Sequence, residues 1–218
     1  MGPATDADDE LSATTFVVID FEGTTPKGHR PEPIEVAAIA VRVRGDDLAE
    51  SGRFAALIRP PPHAAVTAFD TAQTGISAAV LAGQPPASEV LAHLDARLIT
   101  PPYLLVAHHA PTEAAILHAY REHCPTLATT DLLDTLRLAR AVYPDLPAHG
   151  LDALTTHLGL ARPAGRHRAL PDVQLTVALL GRLLVDARAR GWRTLRQLKQ
   201  LALCKAKAGQ PEQQALFD

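Results

Sequence analysis

The chain lacks the features that define several large protein classes. Only two cysteines, Cys124 and Cys204, occur among 218 residues. They lie far apart and without the paired spacing of a zinc site, so free buried thiols in a reducing compartment are expected. No apolar run is long enough to span a membrane. The N-terminus, MGPATDADDELSATT, has neither the basic start nor the apolar stretch of a secretion signal, and a cytoplasmic location is the expectation. Net positive charge is missing as well. The formal charge is −3, which does not by itself advertise a polyanionic partner. No internal repeat is visible.

What remains is ordinary globular material. Hydrophobic residues make up 47% and charged residues 21%. The length suits one sizeable domain with a buried core and at most a small appendage. Charge is unevenly spread. From Arg162 onward come Arg166, Arg168, Arg182, Arg188, Arg190, Arg193, Arg196, Lys199, Lys205 and Lys207, against few acids. Such a half serves equally as a phosphate-facing surface or as solvated helix faces.

Periodicity organises the chain. Residues 1–14 read as a disordered arm. Thr15–Phe21 is a short β-branched run, a buried strand, and ends in the Gly- and Pro-rich FEGTTPKGHRPEP. Ile34–Arg44 and Arg53–Ile58 read as two more strands, joined by a GDD turn, so that the first three form an antiparallel meander. Ala87–Leu98 has helical periodicity with Ser88 as its cap. Tyr103–Ala107 reads as a strand, and Thr112–His123 as a helix capped by Thr112. Leu127–Thr130 reads as a short strand. Helices are expected at Leu132–Val142, Leu151–Leu158, Leu170–Ala189 and Trp192–Leu203, followed by a tail over 205–218. Strands first, then alternating helices and strands, predicts an α/β domain over 15–204 with a mixed central sheet of about five strands.

Five side chains stand out against this frame. Asp20 and Glu22 end the first strand, two residues apart and therefore on one side of it. Two carboxylates there repel each other and are costly to bury unless a cation lies between them, and hard cations such as Mg²⁺ or Mn²⁺ prefer oxygen ligands. Glu113 follows the Tyr103–Ala107 strand in LVAHHAPTEAAIL. His167 and Asp172 lie in GRHRALPD, the histidine in a loop and the aspartate early in a long helix. Each alone also fits a plain structural role: a loop-edge acid, a helix-start acid favoured by the dipole, or an unrelated loop histidine.

Taken together, the segments carry more. FVVIDFEGTTP, LVAHHAPTEAAIL and HRALPD resemble the three exonuclease motifs of the DEDDh family, which includes the proofreading epsilon subunit of bacterial DNA polymerase III, ribonuclease T and oligoribonuclease. QTGIS, LLDTLRLARAVYP and GLDALTTHLGL resemble further segments of that family, so the likeness covers roughly residues 15–185. It implies a ribonuclease-H-like fold and a 3′→5′ exonuclease using two divalent ions, Mg²⁺ or Mn²⁺. Asp20 would bridge both ions, Glu22 and Asp172 would complete the first, and Glu113 would hold the second. His167 would act as the base toward the attacking water. Phe21, Gly23, Thr24, His109 and Arg168 become the candidate substrate contacts. The substrate implied is a single-stranded or frayed 3′ end of DNA, with RNA open. A catalytically weak, polymerase-associated binding subunit is the alternative from a different class.

Three departures from the family pattern matter. Glu113 replaces the usual aspartate, one methylene longer. His109 and Thr112 replace the usual asparagine and phenylalanine. Gly23 replaces a threonine, which would let backbone approach the substrate closely. Last, Gln213, Leu216 and Phe217 in the terminal QQALFD resemble the pentapeptide that tethers bacterial proteins to the replication sliding clamp.

Overall fold

A computed structural model describes residues 10–26, 28, 30–164 and 167–207. Its centre is a six-stranded mixed sheet in the order β3-β2-β1-β4-β5-β6. The strands are β1 (Thr15–Gly23), β2 (Pro33–Arg44), β3 (Asp47–Leu57), β4 (Tyr103–Ala107), β5 (Leu132–Asp134) and β6 (Leu203–Cys204). β1, β2 and β3 form the expected antiparallel meander, turning at Gly45 with φ 64°. β4 pairs parallel to both β1 and β5, and β6 closes the far edge antiparallel to β5.

Alternation along the central strands builds two cores. Phe16 and Val18 of β1, Ala37 and Ile39 of β2, and Leu104 and Val106 of β4 point to one face. Val17, Ile19 and Phe21, Val36 and Ala38, and Leu105 and Ala107 point to the other. A strand buried on both faces reads as a continuous apolar run, and VVI is such a run. The first face is covered by α6 (Thr135–Val142), α7 (Leu151–Leu158), α8 (Ala169–Ala189) and α9 (Leu195–Ala202). The second carries α3 (Ala87–Asp95), α4 (Pro111–Ala119) and α5 (Pro125–Thr129). The first two helices, α1 (Ala68–Thr74) and α2 (Ala78–Leu81), follow the meander.

Several local expectations change. Residues around Leu127, expected as a strand, form α5. Pro125 presets the first turn, and the Asp95 carboxylate of a neighbouring helix accepts the Thr126 and Leu127 amides at 3.3 and 2.7 Å. The expected helix from Leu132 splits at Asp134, which ends β5 and caps α6 with its own carboxylate. Neither Ser88 nor Thr112 is a cap: Pro86 and Ala110 hold those positions. The last helix starts after Thr194, which forms a capping box with Gln197, and Leu203 leaves it for β6. α1 and α2 were not anticipated. Thr67 and Asp70 close a capping box on α1, and Gly75 (φ 72°) stops it. Over its described part, the N-terminal arm is a helical turn from Glu10 to Ala13, with Leu11 buried in the first core. No described helix is long and apolar enough to cross a membrane.

Candidate active site

Asp20 and Glu22 continue the Phe16–Val18 face of β1 beyond the end of the core, where both become half-buried. The long helix α8 packs on that face through Val173, Leu179, Leu180 and Leu183. Asp172 lies in its first turn, one residue before the buried Val173. Register and packing therefore bring three carboxylates together, and their oxygens lie within 4.8 Å of one another. Like charges about 4 Å apart repel by roughly 4 kcal/mol at an effective dielectric of 20. An all-oxygen, half-buried donor set of this kind fits a hard divalent cation.

Glu113 is the expected fourth acid, and it stands outside this group of three. α4 belongs to the opposite layer, so Glu113 approaches the strand ends from the other side. It is 4% exposed, and its Oε2 has no hydrogen-bond partner. Burial, with the nearby Asp134 charge adding to it, pushes its carboxyl up to about 8 against an opposing backbone hydrogen bond. A buried carboxylate oxygen with no protein partner is suited to bind a cation or a water.

The histidines sit in strained backbone. His167 is exposed at φ 62°, directly before the N-terminus of α8, and residues 165 and 166 beside it lie outside the described part. His109 is exposed at φ 76°, and its amide donates to Asp134 Oδ1 at 3.2 Å. Left-handed conformations at non-glycine residues cost of order 1–3 kcal/mol and cluster at functional sites.

Of the other candidate substrate contacts, Phe21 and Thr24 are buried, and Gly23 and Arg168 are half-buried. Phe21 is buried at 8% in the second core. Thr24 is 1% exposed, and its amide and hydroxyl both bond the Glu32 carbonyl. A Cβ on Gly23 would meet the same carbonyl oxygen at 3.4 Å, so the close approach there is to the protein's own loop. Arg168 forms a two-point ion pair with Glu35, at 2.9 and 2.7 Å. Gln213, Leu216 and Phe217 lie outside the described residues.

Three acids escaped the sequence reading. Glu35 and Glu32 are buried at 6% and 2%. Glu32 takes Arg30 at 3.0 Å and the Tyr120 hydroxyl at 2.5 Å. Asp70 accepts from Thr67 and from Thr25, tying the loop after β1 to α1 at 2.8 Å. The available signal was a charge inside an apolar run, as in PEPIEVAAIAV.

A mixed sheet that delivers two carboxylates from its central strand to a third on a packed helix belongs to the ribonuclease-H-like fold class. Within that class, residues 17–180 match the family described as Exonuclease, and the chain belongs to it. Enzymes of this family depend on divalent metal ions. A DNA polymerase III subunit epsilon-like protein of Rhodobacter capsulatus is 34% identical over 198 residues, covering 86% of this chain and 26% of that protein. A PolC-type DNA polymerase III of Halalkalibacterium halodurans is 32% identical over 181 residues, covering 83% of this chain but 12% of the relative. The chain thus spans a small part of the curated relatives it matches. Two solved structures share the fold. Exonuclease X in complex with 5′-overhanging duplex DNA superposes with a TM-score of 0.62 at 24% identity, covering 85% of this chain and 98% of that one. The nuclease domain of 3′hExo, a DEDDh family member bound to rAMP, gives 0.68 at 16% identity, covering 88% and 97%.

Proposed function

We propose that this protein is a 3′→5′ exonuclease that hydrolyses the terminal phosphodiester of DNA and releases nucleoside monophosphates, in proofreading or repair. The observation that carries this reading is the group of Asp20, Glu22 and Asp172 carboxylate oxygens at the end of the central strand. Asp20, Glu22 and Asp172 would hold one Mg²⁺ or Mn²⁺, and Glu113 would serve a second. Such ions, when bound, would polarise a water and stabilise charge on the phosphate. His167, exposed just before α8, would take the proton of the attacking water. His109, also exposed, is a candidate contact to the terminal nucleotide. The exonuclease domain spans 15–204, and the enzyme works in the cytoplasm.

His167→Ala should lower kcat by about 10²–10⁴-fold, the usual contribution of a positioned base. A clean preparation that degrades a 3′-labelled oligonucleotide at the parental rate removes His167 from the mechanism. DNA is favoured over RNA by the tail, whose Gln213, Leu216 and Phe217 we assign to docking on the sliding clamp. Co-elution with the clamp that is lost on deleting residues 213–218 supports this. A tail peptide that fails to bind at high concentration ends it.

A further inference from the structure

Glu35 is a costly residue to bury. It stands on β2 directly opposite Glu22 of β1, 6% exposed, on the face that leads to the acid cluster. A buried carboxylate beside other acids persists only when its oxygens are fully engaged. Among the described residues, its donors come from two consecutive positions. Arg168 donates through Nε to Oε2 at 2.9 Å and through Nη2 to Oε1 at 2.7 Å, and the Ala169 amide reaches Oε2 at 2.9 Å. α8 receives no cap from its own N-cap residue, Arg168. A strand carboxylate 134 residues upstream takes its first amide instead.

These three hydrogen bonds fix the chain at one junction, immediately after His167 and four residues before Asp172. Two-point Arg–carboxylate pairing sets direction as well as distance. Left-handed backbone at His167 (φ 62°) persists where its surroundings over-determine it, and the clamped residue beside it supplies that constraint.

We propose that Glu35 and Arg168 are a positioning pair that aims His167 toward the acid cluster by fixing the start of α8. This rests on the exonuclease reading above. The strand pair that carries Glu22 also carries the clamp, so base and acids share one rigid reference. Arg168 acts through His167, the Nε–Nη2 edge of its guanidinium being engaged by Glu35.

Glu35→Gln keeps one oxygen for the Ala169 amide and removes the charged two-point pair. We expect kcat to fall about 10–100-fold, the cost of a small misplacement, with KM for a 3′-labelled oligonucleotide within about two-fold. In a double-variant cycle, Glu35→Gln should slow His167→Ala no further. In the metal-free protein, the His167 ring resonance, assigned by its loss in His167→Ala, should move in Glu35→Gln. Arg168→Lys, which keeps charge but loses the fork, should repeat the pattern and covers the case in which Glu35→Gln does not fold. Losses that multiply in the double variant, a rise in KM with kcat unchanged, or an unmoved His167 resonance each overturn the pairing. Failure of the underlying reading looks different, because His167→Ala then retains full activity.

Discussion

At the scale of single residues, the acids differ more than the sequence implied. Asp20, Glu22 and Asp172 are half-buried at one place, whereas Glu113 is sealed in and carries an oxygen without a partner. Glu113 therefore sets a pH dependence. Its folded carboxyl titrates near 8, against the ordinary 4.5. Between those values the folded protein holds a proton that the unfolded chain releases, so stability falls as pH rises through this window and levels off above it. In EDTA, the parent should melt progressively lower between about pH 5 and about pH 8. Glu113→Gln should flatten that slope and melt several degrees higher at the alkaline end, where ~1 kcal/mol corresponds to about 2–4 °C. An unchanged slope in the variant would place the titration elsewhere. The reactive residue types were legible because their order and neighbours repeat a family pattern. Partners were not legible. Arg168 reads as a phosphate contact in HRALPD, but its pairing with Glu35 joins residues 133 positions apart, which no local spacing encodes.

Elements follow the same division. The meander, β4 and the long helix were legible because each carries one period over its whole length. The segment LLDTLRLARAV was misread because a three-residue strand and a helix meet there without a break, with Asp134 serving both. α5 was misread because its first amides are met by Asp95 from another helix. α8 offers a direct test of how an element supports the site. Gly181 sits inside it, and an added Cβ would meet Leu48 Cδ1 at 3.6 Å and Cγ at 3.9 Å, ordinary contact distances. Glycine in a helix interior costs about 0.8–1 kcal/mol relative to alanine. Gly181→Ala should raise the urea midpoint by an amount worth roughly 0.5–1 kcal/mol, with an unchanged slope. A lower midpoint would mean that β3 cannot yield to α8 at this contact.

At the scale of the molecule, two apolar layers hold the sheet between them, and Asp20, Glu22 and Asp172 gather where the first of them stops. The arrangement explains why the acids come from β1, α4 and α8 rather than from one segment. It also ties activity to packing. Phe16 is fully buried under α8 on the face that continues to Asp20, and Phe16→Ala should destabilise the fold by about 3–5 kcal/mol. Equilibrium unfolding checks this, and a loss below about 1 kcal/mol would contradict such a close coupling. The exonuclease reading is tested with end-labelled single- and double-stranded DNA and RNA, incubated with Mg²⁺, Mn²⁺ or EDTA, with products resolved by length. That reading requires mononucleotides released from the 3′ end of DNA with either ion and none in EDTA. Release that persists in EDTA, or that begins at the 5′ end, would contradict it.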